Sequence, residues 1–195
     1  MTVAGLVLMG GLASRMGGGD KALLELAGRP ILAHALDRFA PQVGLLALSA
    51  NGDPERFASF GLPVLPDAAS GPGGPLAGVL AGLAWAAALP GVSHLATIPG
   101  DGPFPPQDLV ARLAAAAADG AAVAMGPNGV EPLHALWPLA ARERLTLSLA
   151  DGVRSPKRAL EMLAAAPVDF TDPDAFLDVD TPDDLARAQA RALGT

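Results

Sequence analysis

The chain has 195 residues, with 13 basic and 20 acidic side chains and a net charge of −7, a size suited to a single domain spanning 1–195 and a charge unsuited to gripping nucleic acid or an anionic membrane. The absence of cysteine excludes disulfides, thiolate metal sites and a cysteine nucleophile. Although 51% of the residues are hydrophobic, 41 are alanine, so the bulky apolar content is that of an ordinary core; no apolar run reaches the roughly 20 residues of a membrane span.

The expected elements alternate. Residues 3–9 form an apolar run stopped by Gly10 and Gly11, a buried strand by length and flank. Residues 30–40 follow as a helix with Pro30 near its first turn, then a strand at 43–49, a short helix at 54–60 and an extended piece at 63–65. A Gly/Pro loop at 71–75 leads into a helix reaching about residue 89. Next come a strand at 94–98, a helix at 105–118, strands at 121–125 and 133–136, and helices at 139–150 and 156–165. A short strand at 176–179 and a helix at 181–193 close the chain. Strands separated by helices predict an α/β fold, a three-layer sandwich around a mostly parallel sheet, whose ligands bind beyond the carboxyl ends of the strands. The loops after Met9, Ser49, Leu65 and Ile98 are therefore where chemistry belongs.

The first of these loops is the most informative: Leu8-Met-Gly-Gly-Leu-Ala-Ser-Arg-Met-Gly-Gly-Gly-Asp-Lys21. Its glycines let successive backbone N–H groups converge on phosphate oxygens. Arg15 adds a forked donor, and Lys21, one of only two lysines beside Lys157, adds a compact positive charge. A P-loop is excluded because Lys21 follows Asp20 and precedes Ala22, and a dinucleotide fingerprint over 17–22 starts too far beyond the strand. Asp101, just past the strand at 94–98, suits Mg²⁺, which takes one or two protein carboxylates. Asp180 precedes Thr181-Pro182, an N-cap and first helical residue, so a helix start accounts for it as well as a ligand role does. Asp67 opens the Gly/Pro loop, where a turn aspartate is also at home. His34, His94 and His134 fit packing better than metal binding, Trp85 reads as helix packing, and the seven carboxylates of 169–184 read mostly as solvated surface.

The glycine-rich segment resembles the phosphate loop of nucleotidyltransferases, and its paired glycines with Asp20 before Lys21 resemble the molybdenum cofactor guanylyltransferases. The resemblance continues in order through Leu65-Pro-Asp67, Gly74-Pro-Leu-Ala-Gly78, Pro99-Gly-Asp101, Glu131-Pro-Leu133 and Asp178-Val-Asp-Thr-Pro-Asp-Asp-Leu185. It implies a Rossmann-like nucleotidyltransferase fold and an enzyme that transfers GMP from GTP to molybdopterin cofactor with release of pyrophosphate. It implies Arg15, Lys21 and Asp101 as catalytic residues. Leu8, Met9, Gly10, Gly11, Lys21, Asp67 and Asp101 would hold the nucleotide, and Asp101 with Asp180 would hold Mg²⁺. A cytoplasmic location and contact with molybdoenzyme maturation proteins accompany that role. The pattern has departures: Met9 stands where alanine is usual, Gly100 where cysteine is common, Ser49 where some relatives place asparagine, and Asp178 and Asp180 where guanylyltransferases often carry asparagine. These leave a cytidylyl- or sugar-nucleotidyltransferase of the same superfamily, or a nucleotide-binding carrier without turnover, as alternatives.

Overall fold

The computed structural model describes residues 2–9, 20–67 and 74–194. Strand β1 (Thr2–Leu8) alternates as an interior strand must, sending Val3 and Val7 to one core and Ala4, Leu6 and Leu8 to another. Lys21 opens a single 3₁₀ turn, which leads into a small hairpin of β2 (Glu25–Leu26) and β3 (Arg29–Pro30). Ala27 and Gly28 at its tip have φ of 50° and 79°, the two left-handed positions of a tight hairpin turn. Helix α1 (Ile31–Phe39) buries Ile31, Leu32, Ala35 and Phe39, spaced along one face. Strand β4 (Leu45–Ser49), a 3₁₀ helix over Pro54–Phe60 and strand β5 (Val64–Leu65) follow. Then come α2 (Pro75–Ala87), β6 (Val92–Pro99), α3 (Leu109–Ala117), β7 (Ala122–Gly126) and β8 (Gly129–Pro138). The chain closes with α4 (Arg142–Ala150), α5 (Pro156–Met162), β9 (Ala166–Asp169) and α6 (Pro182–Leu193).

The larger sheet runs β5-β4-β1-β6-β8-β7-β9. Only the pairings made by β8, with β6 and with β7, are antiparallel, so the sheet is mostly parallel as expected. Helices α1 and α3 cover one face, while α2, α4 and α5 cover the other. On α2 the sheet-facing line includes Gly78 and Gly82. A Cβ at Gly82 would lie 2.5 Å from Leu6 Cδ2, so the glycine lets the helix sit down on β1. A third apolar cluster joins Leu26 and Ile31 to Phe104, Leu177, Val179 and Ala188, fastening α6 and the segment before it beside the hairpin. Gln189 adds a polar tie, accepting a 2.8 Å hydrogen bond from the Ala27 N–H.

The structure corrects two expectations and adds an edge strand that the sequence did not show. The helix expected from 105 begins at Leu109, because Pro105 and Pro106 hold the preceding residues out of helical geometry. The strand expected at 176–179 is not part of the sheet; Val179 instead donates its N–H to the Asp101 carbonyl at 3.0 Å. The sheet edge is β9, paired parallel with β7. It contains Pro167, which an edge strand accommodates and which masks the strand in the sequence. Among the described residues no helix is long and apolar enough to cross a membrane.

Candidate active site

The carboxyl ends of β1, β4, β5 and β6 are knit together by backbone hydrogen bonds. Met9 donates to Ser49, Gly100 to Leu8 and Ala50 to Leu65, all at 2.9–3.0 Å. Above them opens a cavity of about 440 Å³, walled by Leu8, Met9, Asn51, Asp67, Asp101 and Asp180, with Gly78 and Leu133 at its sides. Its place is the one that parallel-sheet geometry assigns to a ligand. Gly78 is required at the wall: a Cβ there would fall 2.5 Å from Ser49 Oγ and 3.0 Å from Leu8 Cδ2.

Five of the residues singled out in the sequence, Leu8, Met9, Asp67, Asp101 and Asp180, line this cavity. Lys21 reaches its rim, where the ammonium donates to an Asp180 carboxylate oxygen and stands 4.0 Å from Asp101 Oδ2. The hydrogen bond from Lys21 to Asp180 is the largest cause holding the ammonium above its ordinary pKa. Gly10, Gly11 and Arg15 lie outside the described residues, as does the 71–73 part of the Gly/Pro loop.

Among the described residues the charges at the rim do not balance. Asp101 is pushed up from the usual carboxylate range, chiefly by burial, with the Asp180 charge adding to it. Asp178 is pushed up to about 7 by burial first and then by the charges of Asp101, Glu131 and Asp180. One of its oxygens, Oδ1, is buried without a partner. Among the described residues several carboxylates thus face one ammonium. Asp101 and Asp180 both present hard oxygen donors toward the place Lys21 Nζ occupies, and this donor set fits a divalent cation of the Mg²⁺ kind. Among the described residues no three His, Asp or Glu side chains gather closely enough to cage a metal by themselves.

Two further site residues, Asn51 and Arg56, carry no mark in the sequence, and Asp178 is marked there only as part of a motif. Asn51 holds Asp67 on two sides, donating from Nδ2 to Oδ2 and accepting the Asp67 N–H at Oδ1, both at 2.9 Å. Arg56 pairs with Asp20 at 3.2 Å and donates to the Asn51 carbonyl, tying the described end of the glycine-rich loop to the loop after β4. Asp178 reaches the site because 177–180 is extended: Leu177 and Val179 are buried in the third cluster, so Asp178 and Asp180 face the other way. The rule that points to strand ends also covers Asn51, two residues beyond β4; nothing comparable marks Arg56. The carboxylates of 169–184 are only partly solvated surface, since Asp172 and Asp174 pair with Arg191 and Arg187 on α6 while Asp178 turns inward.

The histidines are packing residues. His134 is buried edge-on against Phe176, its ring centroid 4.7 Å away, and burial pushes its pKa down to about 3. His94 is buried as well, and His34 bonds the Leu26 carbonyl at 2.7 Å. Trp137 is fully buried, with its N–H on Thr97 Oγ1 at 3.0 Å.

The mostly parallel sheet flanked by helices, with its polar cavity at the carboxyl edge and a lysine set among aspartates, belongs to a protein of the nucleotidyltransferase class, as similarity in sequence shows. A sequence profile of the MobA-like NTP transferase domain matches residues 5–168, and the chain belongs to that family. It is 49% identical to the molybdenum cofactor guanylyltransferase of Cereibacter sphaeroides over 190 residues, covering 97% of both chains. With the protein of the same name from Mesorhizobium japonicum it shares 48% over 200 residues, covering 98% of this chain and 96% of that one. Its fold is similar to the crystal structure of molybdopterin-guanine dinucleotide biosynthesis protein A from Archaeoglobus fulgidus, with a TM-score of 0.77, 23% identity and full coverage of both chains. The profile match ends before Asp178 and Asp180, so those two carboxylates stand on geometry alone.

Proposed function

We propose that this protein transfers GMP from GTP to the phosphate of molybdopterin cofactor. A bond forms between an acceptor phosphate oxygen and the α-phosphorus, the α–β bridge breaks, and pyrophosphate leaves. The observation that carries the reading is the near-half identity, over almost the full length of both chains, to proteins named molybdenum cofactor guanylyltransferase. The geometry supports it with a cavity at the sheet edge whose rim carries Lys21, Asp101 and Asp180.

The acceptor phosphate is already anionic, so the reaction needs positioning and charge neutralisation rather than a strong base. Lys21, beside Asp101 at the rim, would meet the triphosphate and the departing pyrophosphate, and Arg15 takes the same task from the sequence. Asp67, fixed by Asn51, and the backbone at Leu8 and Met9 would hold ribose and base, with Gly10 and Gly11 continuing that wall. Asp101 and Asp180 would hold Mg²⁺, because a rim already rich in carboxylates repels a triphosphate unless a cation joins it. When bound, the ion would polarise the α-phosphate and offset charge on the leaving group. The same reading places the protein in the cytoplasm, in contact with molybdoenzyme maturation proteins.

The test is a competition panel of GTP, CTP, ATP and UTP with Mg²⁺. GTP is expected to bind at least about tenfold more tightly than CTP, a difference of about 1.4 kcal/mol. A pocket that hydrogen-bonds the guanine edge leaves buried polar groups unpaired when cytosine enters. Preference for CTP refutes the guanylyl assignment, and nucleotide binding without pyrophosphate release on adding the acceptor refutes turnover.

A further inference from the structure

Two departures from the family pattern, Met9 and Gly100, meet in space. A Cβ built on Gly100 would lie 2.7 Å from Met9 Sδ and 3.4 Å from Met9 Cε, with Ala22 Cβ also at 3.4 Å. Gly100 has no left-handed φ, so its backbone does not demand glycine; a side chain there would have to displace the Met9 thioether. Met9 is held at its own backbone by the bond to the Ser49 carbonyl, and the Gly100 N–H is held by the Leu8 carbonyl, so neither main chain is free to back away. Relief has to come from the Met9 side chain, which is unbranched and easily moved. Met9 also lines the cavity.

We infer that Gly100 and Met9 form a packing pair that sets the depth of the nucleotide pocket. The missing side chain at 100 gives the thioether a berth against the β6 end, and a thioether in that berth leaves the cavity open to a nucleoside triphosphate. Any side chain at 100 turns Met9 into the pocket. The inference rests on the nucleotide reading above and adds a specificity-determining residue to it. It also explains why a long residue at 9 and a glycine at 100 occur together in one chain.

The experiment is a four-corner cycle of the full chain, Gly100→Ala, Met9→Ala and Met9→Ala/Gly100→Ala, with GTP binding measured by calorimetry with Mg²⁺ present and thermal melting of each protein alongside. Gly100→Ala is expected to weaken GTP binding about tenfold or more, with the turnover number, measured separately, changing far less than KM. Met9→Ala is expected to weaken binding about threefold through the space it vacates. In the double variant the added methyl no longer meets sulfur, and binding returns to within about threefold of the Met9→Ala value. A Gly100→Ala protein that binds GTP normally, or a loss that Met9→Ala does not reverse, overturns the pair while leaving the nucleotide reading in place. An unsubstituted chain that binds no nucleotide refutes the nucleotide reading and this role with it. Should Gly100→Ala alone fail to fold, the comparison between Met9→Ala and the double variant decides: binding by the double variant within about threefold of the Met9→Ala value, or tighter, supports the pair, and weaker binding than that overturns it.

Discussion

Replacing Lys21 with alanine probes the centre of the proposed site. The ammonium donates to Asp180 and stands 4.0 Å from Asp101, and the side chains of Lys21 and Asp101 are only 17% and 16% exposed. Two losses follow from its removal. A charge-assisted contact to phosphate contributes about 1.5–3 kcal/mol, which is about 10- to 150-fold in kcat/KM. In addition, Asp101 loses its nearest cation. Two unit charges 4 Å apart interact by about 4 kcal/mol before screening at the dielectric typical near protein surfaces. An uncompensated Asp101 therefore opposes the incoming triphosphate, which puts the expected loss at the upper end of that range. Folding stability should change little, because Asp180, the direct partner, is 57% exposed and such pairs contribute about 0–1 kcal/mol. The assay is pyrophosphate release under kcat/KM conditions, with melting curves beside it. Lys157→Ala is the matched control, an exposed lysine in the first turn of α5, and is expected to keep full activity. A loss below about threefold for Lys21→Ala, or an equal loss in both variants, refutes the assignment of Lys21 to the phosphates.

Asp101→Asn is expected to fold, to retain metal-free nucleotide binding, and to lose about 100-fold or more of Mg²⁺-dependent turnover; an unchanged Mg²⁺ titration at full activity would place the ion elsewhere. His134→Leu tests the buried imidazole. Its folded pKa is depressed to about 3 while an unfolded histidine titrates near 6.5, so protons bind the unfolded chain first and native stability is lost as pH falls through that interval, by at most about 1.4 kcal/mol per pH unit. Urea denaturation at pH 7.5, 6.0 and 4.5 should show the variant gaining on the unsubstituted protein as pH falls, and a constant difference would show that His134 is not held neutral.

The order of strands and helices was legible in the sequence because each apolar run has the length and flanks of its element, and the site's position followed from sheet geometry. Asp67 and Asp101 could be found that way because each stands two residues beyond a strand. What the sequence could not supply were relations across space. Asn51 looks like any loop asparagine until Asp67 lies against it. Met9 and Gly100 read as two unrelated departures until the sulfur is seen where a side chain would go. The hairpin at 25–30 and the edge strand β9 escaped notice because two- and four-residue strands carry no periodicity, and Pro167 argues locally against pairing.

Asp180 shows why a local reading and a site reading need not compete. The turn before α6 is a capping box: the Asp184 N–H donates to Thr181 Oγ1, and the Asp184 carboxylate accepts the Thr181 N–H at 2.9 Å. That exchange uses Thr181 and Asp184. It takes from Asp180 only its N–H, which donates to the same Asp184 carboxylate at 3.3 Å, and leaves the Asp180 side chain to Lys21. Val179, buried and bonded to the Asp101 carbonyl, fixes the register of the segment. Because an extended chain alternates, burying Val179 forces its two acidic neighbours to the side where Asp101 stands. The residues that start the helix and the residue that bury the strap are thus what aim Asp178 and Asp180. The sequence signature of a helix start is therefore compatible with a carboxylate at the rim of the site, and in this fold it is the device that delivers one.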